Sequence, residues 1–345
     1  MIEVKENISL KALNTFGLDV KARYLASLHQ ADDLMPLLNR FRHVPVLFLG
    51  EGSNVLFLED FEGLVILNRL EGEIEILDQQ EESIHIAVPG GMHWHDVVNH
   101  TVERGWQGIE TLALIPGKAG TAPFQNIGAY GSELADVLTA CHVIDTETGQ
   151  NMRLTKDQCG FGYRDSLFKR RPGRYFIHRL ELRLFPGRAP QVRYRALENY
   201  LNDQGITRPD IKDVFRAVVE IRRAKLPDPA VTGNAGSFFK NPVVGREHYD
   251  RLAQAYPGLP AYPAGHDRIK IPAGWLIDRA GWKGFREGDA GVHPKQALVL
   301  VNYGNATGFQ IYKLAQRIMA DVFDRYGISL EPEVRIIRNA AKQNR

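Results

Sequence analysis

Two glycine-rich stretches carry the clearest chemical signal in this sequence. The first is Gly50-Glu51-Gly52-Ser53-Asn54, which lies between two apolar runs of strand length. Glycine reaches positive φ, so consecutive N–H groups can converge on an anion, and Ser53 and Asn54 add side-chain donors. The stretch predicts a phosphate-binding nest, with a tight β-turn as the alternative. It is not a Rossmann fingerprint, because the third glycine is missing and a strand follows it.

The second stretch is a loop at residues 115–131, with four glycines, two prolines and one charged residue in 17 positions. A loop this apolar is expected to be buried, and its backbone then needs hydrogen-bond partners. A flat heteroaromatic ring with polar edges would supply them, whereas the alternative is a structural loop packed on the core. The two stretches together favour a bound dinucleotide-like cofactor. Neither a Walker A sequence nor a GxSxG elbow occurs, which weakens the case for ATP chemistry and for a serine hydrolase.

The elements that must position these stretches are predicted from periodicity, and they indicate an α+β protein. Apolar side chains at helical spacing predict helices at 32–41, 94–104, 211–223 and 308–326, the last with Thr307 as N-cap and Gly327 as stop. Strands are predicted at 44–49, 55–58, 63–67, 83–88, 141–145, 151–154, 175–185 and 333–337. At about 150 residues per domain, the length of 345 residues predicts two or three domains.

Composition restricts the class of partner. The formal net charge of +2 argues against a nucleic acid as the main partner. The two cysteines cannot form a disulfide framework, and they show no zinc-site spacing. No signal-peptide pattern and no apolar window of membrane-spanning length is found, so we expect a cytoplasmic protein that does not insert into membranes.

Seven sequence blocks, in a fixed order, carry a resemblance to a known family. They are NTFG at 14–17, GEGSN at 50–54, the segment 116–131, GYRDS at 162–166, GNAGSFFKNP at 233–242, PKQALVLVN at 294–302 and PEVR at 332–335. Across nearly its whole length the chain resembles the UDP-N-acetylenolpyruvoylglucosamine reductases, flavoenzymes of peptidoglycan synthesis. The sequence of the 192–195 segment is similar to the branch of the family that has a tyrosine loop.

The resemblance implies a fold of the vanillyl-alcohol-oxidase type, with a two-part FAD-binding region and a third α+β domain that binds substrate. The expected domains are 1–67 and 68–215 for FAD and 216–345 for substrate, with the C-terminal strand able to return to the FAD side. FAD, NADPH and enolpyruvyl-UDP-N-acetylglucosamine are the implied ligands, and the chain is expected to be a monomer. The implied FAD contacts are Gly50, Gly52, Ser53, Asn54, Gly117, Thr121, Gln125, Asn126, Gly128, Ala129 and Tyr130. Glu51 places a carboxylate beside the expected phosphate nest, which should weaken FAD binding unless this side chain points outward.

The resemblance also implies the catalytic residues. Arg164 would bind the substrate carboxylate, Ser237 would donate the proton, and Glu333 would act at the carboxylate in a protonated or hydrogen-bonded form. Without the motifs, Arg164 is favoured as a surface arginine and Ser237 as a turn-capping serine. Glu333 is then favoured as the partner of Arg335 in a Glu–Arg pair on the final strand. Substrate contacts are implied for Tyr163, Tyr194, Lys225, Asn241, Lys283 and Gln296.

Two alternative functions remain compatible with these residues. One is an oxidase of an alcohol or sugar on the same flavin scaffold, and the second is a non-catalytic UDP-sugar-binding protein. His93 and His95 form an H-x-H pair for which no third metal ligand has suitable spacing, so a role at the start of a helix is favoured.

Overall fold

The computed structural model describes residues 2–192 and 194–339. The chain forms two compact units, each assembled from separate segments. Unit 1 comprises residues 1–8, 22–51 and 62–224, and unit 2 comprises residues 9–21, 52–61 and 225–345. The three-domain division remains a prediction, and its boundary at residue 215 falls inside a helix that runs from Ile211 to Lys225.

Both units contain strands and helices. The strands in chain order are β1 Val4–Ser9, β2 Lys21–Leu28, β3 Val46–Leu49, β4 Val55–Phe57, β5 Phe61–Asn68, β6 Glu75–Gln79, β7 Ile84–Pro89, β8 Trp106–Gln107, β9 Gly128–Ala129, β10 Ser132–Glu133, β11 Leu138–Asp145, β12 Asn151–Thr155, β13 Tyr175–Pro186, β14 Gly233–Ser237, β15 Val243–Gly245, β16 Tyr262–Pro263, β17 Arg268–Lys270, β18 Arg286–Glu287, β19 Ala290–Val292, β20 Val299–Asn302 and β21 Arg335–Ile337. The α-helices are α1 Leu34–Arg40, α2 Trp94–Glu103, α3 Leu167–Arg170, α4 Arg195–Asp203, α5 Ile211–Lys225, α6 Arg246–Ala255, α7 Ala273–Arg279 and α8 Gly308–Tyr326. This mixture confirms the predicted α+β class.

Unit 1 contains two larger sheets with separate cores and, among its described residues, a two-stranded sheet formed by β9 and β10. The first sheet has the order β1-β2-β5-β3, with β3 parallel to β5, and its core includes Leu28 and Leu34. The second has the order β12-β11-β13-β7-β6, and β8 pairs with β13. Helix α2 covers this second sheet, because Trp94, Val97 and Val98 lie on one helical face and are all buried.

Unit 2 is organised around an antiparallel sheet with the order β14-β20-β19-β18. A smaller sheet has the order β15-β17-β16, and β21 pairs in parallel with β4. Helix α8 begins at a capping box, in which the Thr307 hydroxyl accepts a bond from the Gln310 N–H at 3.2 Å. It ends at Gly327, whose φ of 62° is left-handed.

The predicted helices and strands are all present, with ends that differ by up to three residues, and the difference at the final strand affects a predicted site residue. Helix α8 has the predicted bounds, and β11 and β12 form the predicted antiparallel pair. The final strand begins at Arg335, so Glu333 precedes the strand instead of lying on it. An isolated bridge between Phe239 and Pro332 positions that segment before the strand starts. Within residues 2–192 and 194–339, no helix has both the length and the apolar character needed to cross a membrane.

Candidate functional site

The first two residues of the first glycine-rich stretch, Gly50 and Glu51, contact the second stretch in unit 1. A Cβ on Gly50 would lie 2.9 Å from Cγ2 of Thr121 and 3.5 Å from Cγ of Lys118, so the end of β3 approaches the second loop as only glycine allows. The loop itself is a 3₁₀-helix at Ala119–Gln125 whose first two residues are buried. The Thr121 hydroxyl donates to the carbonyl of Lys118 at 2.8 Å, which closes the first turn of this helix.

Glu51 also joins the two stretches. Its Oε2 accepts a hydrogen bond from the Gly117 N–H at 2.7 Å, and its Oε1 is paired with Nδ1 of His93. The carboxylate that the sequence placed beside the phosphate nest therefore satisfies an N–H group of the second loop. Gly117 has a φ of 124°, a conformation that side chains rarely allow.

The H-x-H pair has two different roles. His93 is the N-cap residue of α2 and binds Glu51, whereas the His95 ring stacks on Phe215 with centroids 5.6 Å apart. Nδ1 of His95 accepts a hydrogen bond from the Leu114 N–H at 3.2 Å. Burial lowers the pKa of His95, which favours the neutral ring. In the described ranges no cluster of three or more His, Cys, Asp or Glu is arranged to hold a metal ion.

Asn126 holds the end of the second loop together. It is 1% exposed with a φ of 44°, and its Nδ2 donates to Oε2 of Glu133 at 2.7 Å and to the Gly162 carbonyl at 3.2 Å. Its Oδ1 accepts from the Ala135 N–H at 3.0 Å. These bonds position the chain that leads into β9, which contains Gly128 and Ala129.

Arg164 contacts the same loop. Its Nη2 donates to the Gly128 carbonyl at 2.5 Å and its Nη1 to the Asn126 carbonyl at 3.3 Å. The guanidinium carbon lies 5.3 Å from the centroid of the Tyr163 ring, and Arg164 itself has a left-handed φ of 53°. A largely buried guanidinium on a positive-φ residue is a costly arrangement, so Arg164 is not a solvated surface arginine.

Tyr130 follows β9 and contacts the start of α4. Its ring packs edge-to-face on Tyr194, with centroids 5.4 Å apart, and Tyr194 is the N-cap residue of α4. Burial raises the pKa of Tyr130, while the nearby cation of Arg222 opposes that shift. Gln125, the last residue of the 3₁₀-helix, is half-buried.

Ser237 ends strand β14 in unit 2. The residue is exposed, and it follows Gly236, whose φ is 68°, at an irregularity in the pairing of β14 with β20. The Gly236 N–H donates to Oδ1 of the buried Asn234 at 2.9 Å, which stabilises this turn. Phe238 and Phe239 are buried directly afterwards, so they fix the exposed serine between two anchored segments.

Glu333 and Arg335 are organised by Asn54. Nδ2 of Asn54 donates to the Glu333 carbonyl at 3.3 Å, and the Arg335 N–H donates to the Asn54 carbonyl at 3.0 Å. The Glu333 N–H donates to the Phe238 carbonyl at 2.8 Å, which links Glu333 to the residue next to Ser237. Unit 2 therefore brings Asn54, Ser237 and Glu333 into one hydrogen-bonded neighbourhood. Burial lowers the pKa of Arg335.

The residues predicted to bind the sugar nucleotide in unit 2 have local partners. Oδ1 of Asn241 accepts from the Ala273 N–H at 2.9 Å, Oε1 of Gln296 accepts from the Leu298 N–H at 3.4 Å, and Nζ of Lys283 lies 2.5 Å from Oδ2 of Asp278. Lys225 is exposed at the end of α5. The predicted site residues in unit 1 are Gly50, Gly117, Thr121, Gln125, Asn126, Gly128, Ala129, Tyr130, Tyr163, Arg164 and Tyr194, and those in unit 2 are Gly52, Ser53, Asn54, Lys225, Ser237, Asn241, Lys283, Gln296 and Glu333.

Comparison with known proteins identifies the family. Residues 23–155 match the model of an FAD binding domain, and residues 228–337 match the C-terminal domain of UDP-N-acetylenolpyruvoylglucosamine reductase. The reductase of that name from Pseudomonas aeruginosa PAO1 is 47% identical over 334 residues, which cover 96% of this chain and 98% of that protein. The chain belongs to the UDP-N-acetylenolpyruvoylglucosamine reductase family. The Chromobacterium violaceum reductase is 45% identical, with 97% of this chain and 99% of that protein covered.

A solved member of the family confirms the fold. The crystal structure of UDP-N-acetylenolpyruvylglucosamine reductase from Thermus caldophilus matches with a TM-score of 0.67 and 25% identity, covering 98% of this chain and 100% of that chain. The α+β flavoprotein fold expected from the sequence is therefore confirmed. The chain is an FAD-dependent oxidoreductase, and FAD and NADPH are the cofactors that membership of this family implies.

The residues of unit 1 fit a bound FAD. Gly50 is packed too closely for a side chain, and the ammonium of Lys118 is buried without a hydrogen-bond partner among the described residues. Sequence reasoning did not predict that the Lys118 ammonium is buried beside Gly50, nor that the Glu51 carboxylate binds the Gly117 N–H. The available signal for Lys118 was a single cation in an otherwise apolar loop.

Proposed function

We propose that this enzyme reduces the enolpyruvyl ether of UDP-N-acetylglucosamine to UDP-N-acetylmuramate, a step of peptidoglycan synthesis, with NADPH as the source of electrons. The observation that carries the proposal is the 47% identity to a reductase of that name across 96% of the chain. The exposed Ser237 and the adjoining Glu333 segment supply the chemical groups that this reduction needs.

The reaction adds a hydride and a proton across one carbon–carbon double bond. FAD, when bound, supplies hydride chemistry at the vinyl carbon. Negative charge then develops at the neighbouring carbon and spreads into its carboxylate, so the protein must bind that carboxylate and deliver one proton. Ser237 donates the proton, because its weakly acidic hydroxyl protonates only a base as strong as this carbanion-like centre.

Arg164 binds the substrate carboxylate, since a guanidinium pairs with a carboxylate through two parallel N–H···O bonds. Glu333 acts at the same carboxylate as a protonated or hydrogen-bonded acid, because two bare carboxylates repel each other. Tyr163, Tyr194, Lys225, Asn241, Lys283 and Gln296 bind the sugar nucleotide, with Tyr194 as the tyrosine of the tyrosine-loop branch.

FAD is held by the residues that the resemblance implies, which are Gly50, Gly52, Ser53, Asn54, Gly117, Thr121, Gln125, Asn126, Gly128, Ala129 and Tyr130. The FAD-binding region comprises 1–67 and 68–215, and 216–345 binds substrate. The enzyme acts as a monomer in the cytoplasm.

A steady-state assay tests this proposal against the alternative of an oxidase. Oxidation of NADPH should depend on the enolpyruvyl nucleotide, and one molecule of UDP-N-acetylmuramate should form for each NADPH consumed. Consumption of oxygen with an alcohol or sugar, without turnover of the enolpyruvyl nucleotide, would favour the oxidase.

A further inference from the structure

Lys118 is a buried cation near the first glycine-rich stretch. It is 1% exposed, and its Nζ atom has no hydrogen-bond partner among the described residues. An ammonium has three N–H donors, and burying one without acceptors costs several kcal/mol by the general estimate for charges removed from water. A natural fold keeps such a group when a ligand completes its environment.

The nearest carboxylates compensate this charge only in part. Nζ of Lys118 lies 3.8 Å from Oε1 of Glu71, whose side chain is 63% exposed, so this pair is long and screened by solvent. Glu51 is already bound to Gly117 and His93. Burial lowers the pKa of Lys118 and the neighbouring Arg69 lowers it further, while Glu51, Glu71 and Asp96 act in the opposite direction.

The position of Lys118 points to a phosphate. Its Cγ lies 3.5 Å from the Cβ position of Gly50, so its side chain follows the first glycine of the predicted phosphate nest. Residue 118 also lies inside the segment 23–155 that matches an FAD binding domain. FAD carries its permanent negative charge on the diphosphate, and lysine binds phosphate as a point charge beside glycine backbone N–H groups.

We propose that Lys118 is the cation that binds the diphosphate of FAD, a role outside the set of residues that the sequence predicts. This inference rests on the proposed function only in taking FAD as the ligand. It makes Lys118 a binding residue for the cofactor and gives it no part in hydride or proton transfer.

The test compares Lys118→Met with Lys212→Met, which removes an exposed lysine of α5. The full-length apoproteins are titrated with FAD, with ADP and with riboflavin, which separates the diphosphate from the flavin ring. Lys118→Met should bind FAD and ADP about tenfold or more weakly, with unchanged riboflavin affinity and a weaker dependence on salt. Lys212→Met should match the wild type.

Thermal unfolding of the apoproteins separates binding from a structural role. Removal of a buried charge that the protein compensates only in part should leave the melting temperature of Lys118→Met equal or higher, whereas a structural lysine would lower it. Unchanged FAD affinity in Lys118→Met, or equal losses of FAD and riboflavin affinity, would overturn the inference. The reductase proposal would still stand if the wild-type enzyme turns over the enolpyruvyl nucleotide. A wild-type chain that binds no FAD would overturn both.

Discussion

Ser237 is exposed at the end of a strand, between a glycine turn and two buried phenylalanines. That placement suits a hydroxyl that must reach a substrate while its backbone stays fixed. The structure also shows why Asn126, expected to contact FAD, has a second role. Both N–H donors of its amide bind the protein and its Oδ1 accepts from Ala135, so Asn126 shapes the loop as well as any ligand site.

Ser237→Ala should separate the two half-reactions. NADPH should still bleach the flavin in this variant, because hydride transfer to the flavin does not use the hydroxyl. Reoxidation by the enolpyruvyl nucleotide should slow by about 10²-fold or more, the usual loss for a positioned proton donor. Stopped-flow absorbance measures both rates, and a variant that reoxidises at the wild-type rate would refute the proton-donor role.

Glu181 should determine how the stability of the fold responds to acid. A bidentate hydrogen bond from Arg153 and a bond from His142 lower the pKa of this buried carboxyl to about 2 from 4.5. A depressed carboxyl pKa contributes stability above pH 4.5, and this contribution is lost as the pH falls towards 2. Glu181→Gln should therefore lose on the order of 3 kcal/mol of unfolding free energy at neutral pH.

Denaturant unfolding at several pH values measures this loss. Glu82→Gln, which changes an exposed carboxylate, should remain close to the wild type. The difference between Glu181→Gln and wild type should shrink as the pH falls from 4.5 to 2. A difference that stays constant over that range would show that packing, and not ionisation, explains the loss.

Among the elements, α8 and its neighbour β4 make a very close backbone approach at a glycine. A Cβ on Gly308 would lie 1.7 Å from the carbonyl oxygen of Phe57. Gly308→Ala should force the helix away from the strand and cost about 1–3 kcal/mol of stability. Gly245→Ala, at the N-cap of α6 with open space around it, is the matched control. Equal melting temperatures for the two variants would contradict this packing.

Tyr194 gives a second prediction at the scale of elements, because it begins α4 and packs on Tyr130. Tyr194→Phe keeps the ring and removes only the hydroxyl, so the edge-to-face contact and the fold should survive. Substrate affinity should fall by about tenfold, the effect of one hydrogen bond to a charged group, while FAD affinity should stay unchanged. Equal losses of substrate and FAD affinity would argue against a role of Tyr194 in substrate binding. Tyr262→Phe, which changes an exposed tyrosine, serves as the control.

Local signals explain which elements could be predicted. The apolar stripe, the Thr307 cap and the Gly327 stop all lie within or beside α8, so its bounds could be read directly from the sequence. The position of Glu333 just before the final strand could not be predicted from the sequence. The start of β21 depends on its pairing with β4, about 280 residues earlier in the chain. The bond from Gly117 to Glu51 likewise joins residues far apart in sequence.

For the whole molecule, the chain segments of both units interleave, since residues 9–21 and 52–61 belong to unit 2. Sequence reasoning could not find this division, because compositional boundaries are local while the contacts that define the units are not. Sequence reasoning did identify the family and its FAD cofactor, because short contiguous motifs can be recognised without knowledge of long-range contacts. At this scale, the function that we propose requires a bound flavin that exchanges electrons with NADPH and with the substrate.

The anaerobic visible spectrum of the purified full-length protein tests that central claim most directly. We predict a yellow protein whose flavin absorbance is bleached by NADPH and restored by the enolpyruvyl nucleotide in the absence of oxygen. A colourless protein, or a bleached flavin that recovers with oxygen but not with this nucleotide, would contradict the account.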